Sequence, residues 1–214
     1  MKRASQTIAK RHVNGGRVNQ KARTRAALVD AAAKLMRAGA PPTVTVTADE
    51  AKVSRATAYR YFPAQEALLI ELSLASPAVA SVDEQIAALD TDDPQARLAV
   101  LITSANKAIF FEETAMRTAL RLYMDMWLEA KRRGEDPPQL RAARRMQWLD
   151  ETLKPLRKQL ATAQWRRLRA ALALTMGAEA MVVMKDVCEL KDKEALEVLQ
   201  WAGVALLKST TLSK

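Results

Sequence analysis

The sequence has little of what punctuates or cross-links a chain: 6 glycines, 8 prolines and 1 cysteine in 214 residues. With so few breakers, long stretches of Ala, Leu, Met, Arg, Lys and Glu run uninterrupted, so helix is favoured nearly everywhere and no sheet is expected. The lone Cys188 excludes an internal disulfide and fits a reducing compartment. His12, the only histidine, lies in a polar N-terminal stretch and is a poor candidate ligand or catalyst. There is no His, Cys or carboxylate cluster at metal spacing, no Gly-rich phosphate loop and no nucleophile motif, so neither an enzyme nor a cofactor or metal is expected. The longest apolar region, residues 170–184, is interrupted by Glu179 and is shorter than the ~20 residues a bilayer span needs. Residues 1–10 are charged and lack an apolar core segment, which argues against a secretory signal. A soluble, cytoplasmic protein is expected.

Hydrophobic residues make up 49% of the chain, enough for a sizeable core or a small head on a larger body. Charge favours the second arrangement. Residues 1–63 hold 13 Lys and Arg against 3 acids, a surplus of +10; residues 64–214 hold 34 − 13 = 21 basic and 24 − 3 = 21 acidic residues, a balance of zero. A basic head on a neutral body is the electrostatic footprint of a nucleic-acid-binding protein.

Within that head, residues 43–62 read as a helix-turn-helix. Thr45 or Thr47 is a candidate cap for a short helix carrying Val46 and Ala51, with Asp49 and Glu50 in its first turns. Lys52 and Val53 form the turn. Ser54 is the second cap, and the helix after it carries Arg55, Thr57, Tyr59, Arg60 and Tyr61 without an acid, which suits a polyanion. Residues 1–21 hold six basic residues, no acid and a Gly15-Gly16 pair, and read as a flexible basic arm. From about Ala22 the spacing of Leu28, Ala31, Ala32, Leu35 and Met36 predicts a supporting helix ended by Gly39.

Beyond Pro63 a fourth helix starts at Gln65 and breaks at Pro77. A short apolar segment at 79–89 precedes a helix from Pro94 to about Phe111, one opened by Glu112 and Glu113, and one from Gln139 to about Leu153. Residues 162–190 and 193–208 are apolar on two sides, and such helices are buried on two sides. Leu174, Gly177, Met181, Met184, Cys188, Leu199, Gly203 and Leu206 are therefore expected to pack against a second subunit, the glycines permitting close approach. In all, the fold expected is all-α with about nine helices: an arm at 1–21, a helix-turn-helix domain at 22–63 and a helical effector-binding and dimerisation domain at 64–214.

The stretch from Arg25 to Leu72 closely resembles the TetR family of bacterial transcriptional regulators. Leu28, Ala31, Ala32, Leu35, Gly39, Thr43-Val44, Ala48, Ala51, Val53-Ser54-Arg55, Thr57, Tyr59-Arg60-Tyr61-Phe62-Pro63 and Glu66-Ala67-Leu68-Leu69 carry the likeness, over about a third of the chain. Departures are Lys52 where a turn Gly is usual, Thr47 where a branched apolar residue is usual, Ala58 in place of Leu and Gln65 in place of Lys. The resemblance implies a homodimer whose two heads read a palindromic double-stranded DNA operator, Arg55 and Thr57 at base edges, and Thr45, Thr47, Lys52, Ser54, Tyr59, Arg60 and Tyr61 completing the contact surface. It also implies a repressor released by a small-molecule effector. For an apolar or aromatic effector the candidate lining is Phe110, Phe111, Met116, Tyr123, Met124, Trp127, Trp148 and Met176, with Glu179 as a carboxylate needing a partner such as Arg121. The competing expectation is a non-specific nucleic-acid or nucleoid-associated protein.

Overall fold

The structure is a computed structural model that describes residues 2–137 and 143–212. All regular structure among the described residues is helical. The chain divides into two compact units, residues 1–72 and 73–214. The division expected after residue 63 thus falls later, within the fourth helix.

The first unit contains α1 (Lys2–Arg37), α2 (Val44–Glu50), α3 (Arg55–Tyr61) and the start of α4 (Gln65–Ala75). α1 begins some twenty residues earlier than its apolar spacing predicts, so the stretch expected as an arm is helical. The end is as read: Gly39, at φ 75°, lets its own N–H and that of Ala40 return to the Met36 and Leu35 carbonyls. Leu28, Ala32 and Met36 of α1, Val44 and Ala48 of α2, Ala58 of α3, Phe62, and Leu68 and Leu69 of α4 are all buried. Burying a side chain such as Phe62 contributes about 1.5–3 kcal/mol before its entropy cost.

Two details of the helix-turn-helix differ from the sequence reading. The cap of α2 is Thr43, whose hydroxyl accepts from Val46 N–H at 3.2 Å, and neither Thr45 nor Thr47. With the start moved back, Asp49 and Glu50 close α2 instead of opening it. Carboxylates at a helix C-terminus oppose the dipole. Each is paired, Asp49 with Arg55 and Glu50 with Lys34.

The second unit contains α5 (Pro77–Ala87), α6 (Pro94–Phe111), α7 (Glu113–Arg132), α8 (Ala143–Thr152), a 3-10 turn (Lys154–Leu156), α9 (Thr162–Ala173), α10 (Ala178–Val182), a π turn (Val183–Val187) and α11 (Asp192–Leu212). The start expected for α8 at residue 139 lies outside the described residues. Asp93 caps α6, its carboxylate accepting from Gln95 and Ala96 N–H. α6 is central, packing against α5, α7, α8, α10 and α11. Its Leu98, Leu101 and Ile102 are completely buried, with Leu149 and Leu153 from the α8 region and Leu172 from α9.

The long helix predicted over 162–190 is broken after Ala173. Gly177, at φ 114°, turns the chain where a side chain would be strained. Asn106 of α6, fully buried, holds the break: its Nδ2 donates to the Thr175 carbonyl at 2.9 Å and its Oδ1 accepts from Gly177 N–H. Arg145 lies over Gly177, so close that an added Cβ would meet its NH2 at 1.9 Å. It donates to the Ala173 carbonyl at 3.0 Å, meeting one of the acceptors a helix end leaves open.

Candidate nucleic-acid interface

The reading helix α3 is short, and each end is fixed locally. Ser54 Oγ accepts from Thr57 N–H at 3.2 Å and donates to Thr57 Oγ1 at 2.9 Å, so both hydroxyls serve the helix start. Phe62, 1% exposed, anchors the other end, with the Arg25 guanidinium 5.7 Å above its ring. Between them Ala58 faces inward, while Arg55, Ala56, Tyr59 and Arg60 are exposed. The outward face is therefore cationic and aromatic, with no carboxylate of its own.

Tyr59, 47% exposed, brings its hydroxyl to 3.3 Å from Thr45 Oγ1, linking α3 to α2. The Arg60 guanidinium sits 5.7 Å from the half-buried Tyr61 ring. Lys52 is exposed and takes φ 55°, the left-handed conformation a turn glycine adopts freely. Arg55 is exposed and held by Asp49, NH2 to Oδ2 at 2.9 Å and Nε to Oδ1 at 3.4 Å. That hydrogen bonding raises the Arg55 pKa further above its ordinary value. Arg25 of α1 donates to Glu71 through Nε at 3.0 Å and NH2 at 2.8 Å.

Thr47 does not belong to this surface. It is 1% exposed, and its Oγ1 is buried without a hydrogen-bond partner. The position is a core position on the inner face of α2, so the phosphate contact expected of Thr47 is not available to it in this fold. Sequence reading also missed Asp49 as part of the surface. Its spacing six residues before Arg55, across a tight turn, was the signal.

The residues expected to line an effector site are divided by the structure. Phe110 and Met176 are buried; Met116, Tyr123 and Trp148 are half-buried; Phe111, Met124 and Trp127 are exposed, Phe111 to 87%. Trp148 Nε1 donates to Asp83 at 2.6 Å. Glu179 is exposed, and its carboxylate accepts from Arg145 NH2 at 2.9 Å, which gives it an arginine partner. Close by in sequence, the π turn carries an ion network. Lys185 Nζ reaches Glu113 at 2.6 Å and Asp192 at 2.8 Å, while Arg117 reaches Glu113 at 2.8 Å and both oxygens of Asp186. Hydrogen bonds from Lys185 hold the Glu113 carboxyl below its ordinary range, and those from Arg117 do the same for Asp186.

The expected dimer surface is also divided. Met181 and Leu199 are buried in the second unit's own core, and Gly177 and Gly203 are buried too. Gly203 gives close approach within the subunit: a Cβ there would meet Ile102 Cδ1 at 2.0 Å. Met184 and Leu206 are half-buried against the same core, whereas Leu174 is 78% exposed and Cys188 is exposed. Val183, Val187 and Trp201 are exposed as well, the last two by 73% and 72%.

Among the described residues there is no group of three or more His, Cys, Asp or Glu able to hold a metal ion, and no helix long and apolar enough to cross a membrane. Comparison with curated proteins and with solved structures gives no match. Residues 28–72 match the family of bacterial regulatory proteins called the tetR family, over a span that contains α2, α3, the Phe62 anchor and the buried face of α1. With its cationic α3, residues 28–72 thus form the helix-turn-helix DNA-binding domain of that family, which makes the protein a DNA-binding transcriptional regulator.

Proposed function

We propose that the protein is a homodimeric, sequence-specific repressor that leaves a palindromic operator when a small apolar or aromatic ligand binds the second unit. The observation that carries the DNA-reading part is the outward face of α3, where Arg55, Tyr59 and Arg60 project with Lys52 beside them and all the chain's net charge lies in residues 1–63. A helix of this kind enters the major groove, Arg55 and Thr57 facing base edges and Thr45, Tyr59, Arg60, Tyr61 and Lys52 facing phosphates. Thr57 Oγ1 accepts from Ser54 Oγ, which orients the side chain, and its methyl is the group offered to a thymine.

Pairing of subunits is supported by Leu174, Val183, Val187 and Trp201, large apolar side chains left uncovered in the last forty or so residues. Two heads in such a dimer bind half-sites at least about one helical turn apart. For the ligand, the candidates with buried or half-buried side chains in the second unit are Phe110, Met116, Tyr123, Trp148 and Met176. Selection from a random DNA pool, followed by anisotropy titration at several salt concentrations, tests the reading. An enriched inverted repeat, bound with a stoichiometry of two chains and lost on replacement of Arg55, is expected. Equal binding to every sequence would instead fit a non-specific nucleic-acid protein. For the pairing, Trp201→Lys is expected to give monomers in analytical ultracentrifugation.

A further inference from the structure

Asp49 is anomalous on a surface built for a polyanion. It is one of only three acids in residues 1–63, it lies at the dipole-disfavoured end of α2, and it is 57% exposed beside the helix that faces DNA. Its repulsion of phosphate weakens association. An ion pair as exposed as Asp49 with Arg55 adds little to folding stability, so stability does not account for it.

The geometry gives it another role. Asp49 takes Arg55 by two atoms, Nε and NH2, which places its carboxylate along one edge of the planar guanidinium. The guanidinium has a fixed fork of five N–H donors, so occupying the Nε edge leaves the NH1–NH2 edge as a second two-donor face. Guanine offers two acceptors, O6 and N7, at matching spacing in the major groove. An unbuttressed Arg at the first position of α3 would sample many rotamers and reach phosphates and several bases. One held across the turn from α2 presents a single edge.

We infer that Asp49 is a positioning and specificity-determining residue: it fixes the Arg55 guanidinium before DNA arrives so that its free edge reads one guanine. The inference rests on the reading of Arg55 as a base-contacting residue. Asp49 itself touches no base, and its effect is exchanged between affinity and discrimination: its charge costs affinity on all DNA and its grip on Arg55 repays this on the correct base pair only.

The test is base-resolved selection from a random DNA pool with full-length protein, comparing wild type, Asp49→Ala, Asp49→Asn, Arg55→Ala and the Asp49→Ala/Arg55→Ala double variant. Both Asp49 and Arg55 are largely exposed, and far-UV circular dichroism checks that each variant is folded. Arg55→Ala should remove of order tenfold to a hundredfold discrimination at one G·C pair. Asp49→Ala should flatten preference at that same pair, leave the other positions unchanged and raise affinity for non-cognate DNA, and adding it to Arg55→Ala should cause no further loss at that position. Asp49→Asn should lose less than Asp49→Ala, since one acceptor oxygen remains. A profile that Asp49→Ala leaves unchanged while affinity rises uniformly overturns the inference, and so does a change confined to a different base pair, as direct contact of the carboxylate with cytosine N4 would give. If Arg55→Ala alters no position, Arg55 is not a base reader and the inference falls with it. A flat wild-type profile defeats the sequence-specific reading itself, which separates that failure from failure of Asp49's role.

Discussion

Thr47 offers a sharp test of the head's architecture, because its two readings predict opposite outcomes for one substitution. The side chain is 1% exposed, between the buried Val44 and Ala48 on the inner side of α2, and its hydroxyl has no partner. A buried hydroxyl left unsatisfied costs about 1–3 kcal/mol relative to an apolar group of the same shape. Thr47→Val replaces it with a methyl of nearly the same volume and similar helix propensity, so packing and propensity largely cancel. We expect a gain of about 1 kcal/mol in the first unit, or roughly 4–8 °C in its melting temperature for a domain of this size. Hydrogen exchange read by mass spectrometry on the full-length protein follows the α2 and α3 amides directly and should slow about fivefold. All four tryptophans, Trp127, Trp148, Trp165 and Trp201, lie in the second unit, so their fluorescence serves as an unchanged internal control. DNA affinity should hold, since the hydroxyl does not reach the surface. Faster exchange in α2, or lost DNA affinity with unaltered exchange, would refute burial of an unpaired hydroxyl and restore Thr47 as a contact.

Three further outcomes follow from local geometry. Lys52→Gly removes a left-handed side-chain residue at φ 55° and should stabilise the first unit by up to about 1 kcal/mol in denaturant titration, while lowering the salt-dependence slope of DNA binding by about one. Gly177→Ala places a Cβ against Arg145 at a backbone angle hostile to it, and should destabilise the second unit by roughly 2 kcal/mol, read by urea unfolding with tryptophan fluorescence. Acid should weaken the second unit: Glu113 and Asp186 have folded pKa values below their unfolded ones, so their contribution is present above pH ~4 to 5 and is lost as pH falls through the folded values. A melting temperature that is flat through acid pH at low salt, or the same slope in Lys185→Met, would contradict the role of that network.

The head was legible in sequence because its determinants are local: Ser54 as a cap and Gly39 as a stop depend on neighbours a few residues away. Thr47 shows the limit, since a threonine on a short helix satisfies a contact pattern and a core pattern equally until the helix phase is fixed by its cap at Thr43. The break at Gly177 was hidden for a different reason. Apolar periodicity runs straight through residues 162–190, and only Asn106, about seventy residues distant in sequence, together with Arg145 supplies the partners that stabilise the interruption. Two-sided apolar helices announce burial but not who covers them: Gly203 and Leu199 are covered from within the subunit, Leu174 and Trp201 are not. The candidate effector residues were least legible because sequence names the few aromatic and thioether side chains of the body without fixing which of them share a space.

Cys188 is the chain's single thiol, and it is exposed at the residue following the π turn. One maleimide therefore labels each chain once, at a defined address in the C-terminal half and outside the DNA-reading unit. Donor- and acceptor-labelled preparations, mixed and followed by energy transfer, test the proposed pairing and turn any exchange of subunits into a rate, with no residue altered to install the dye.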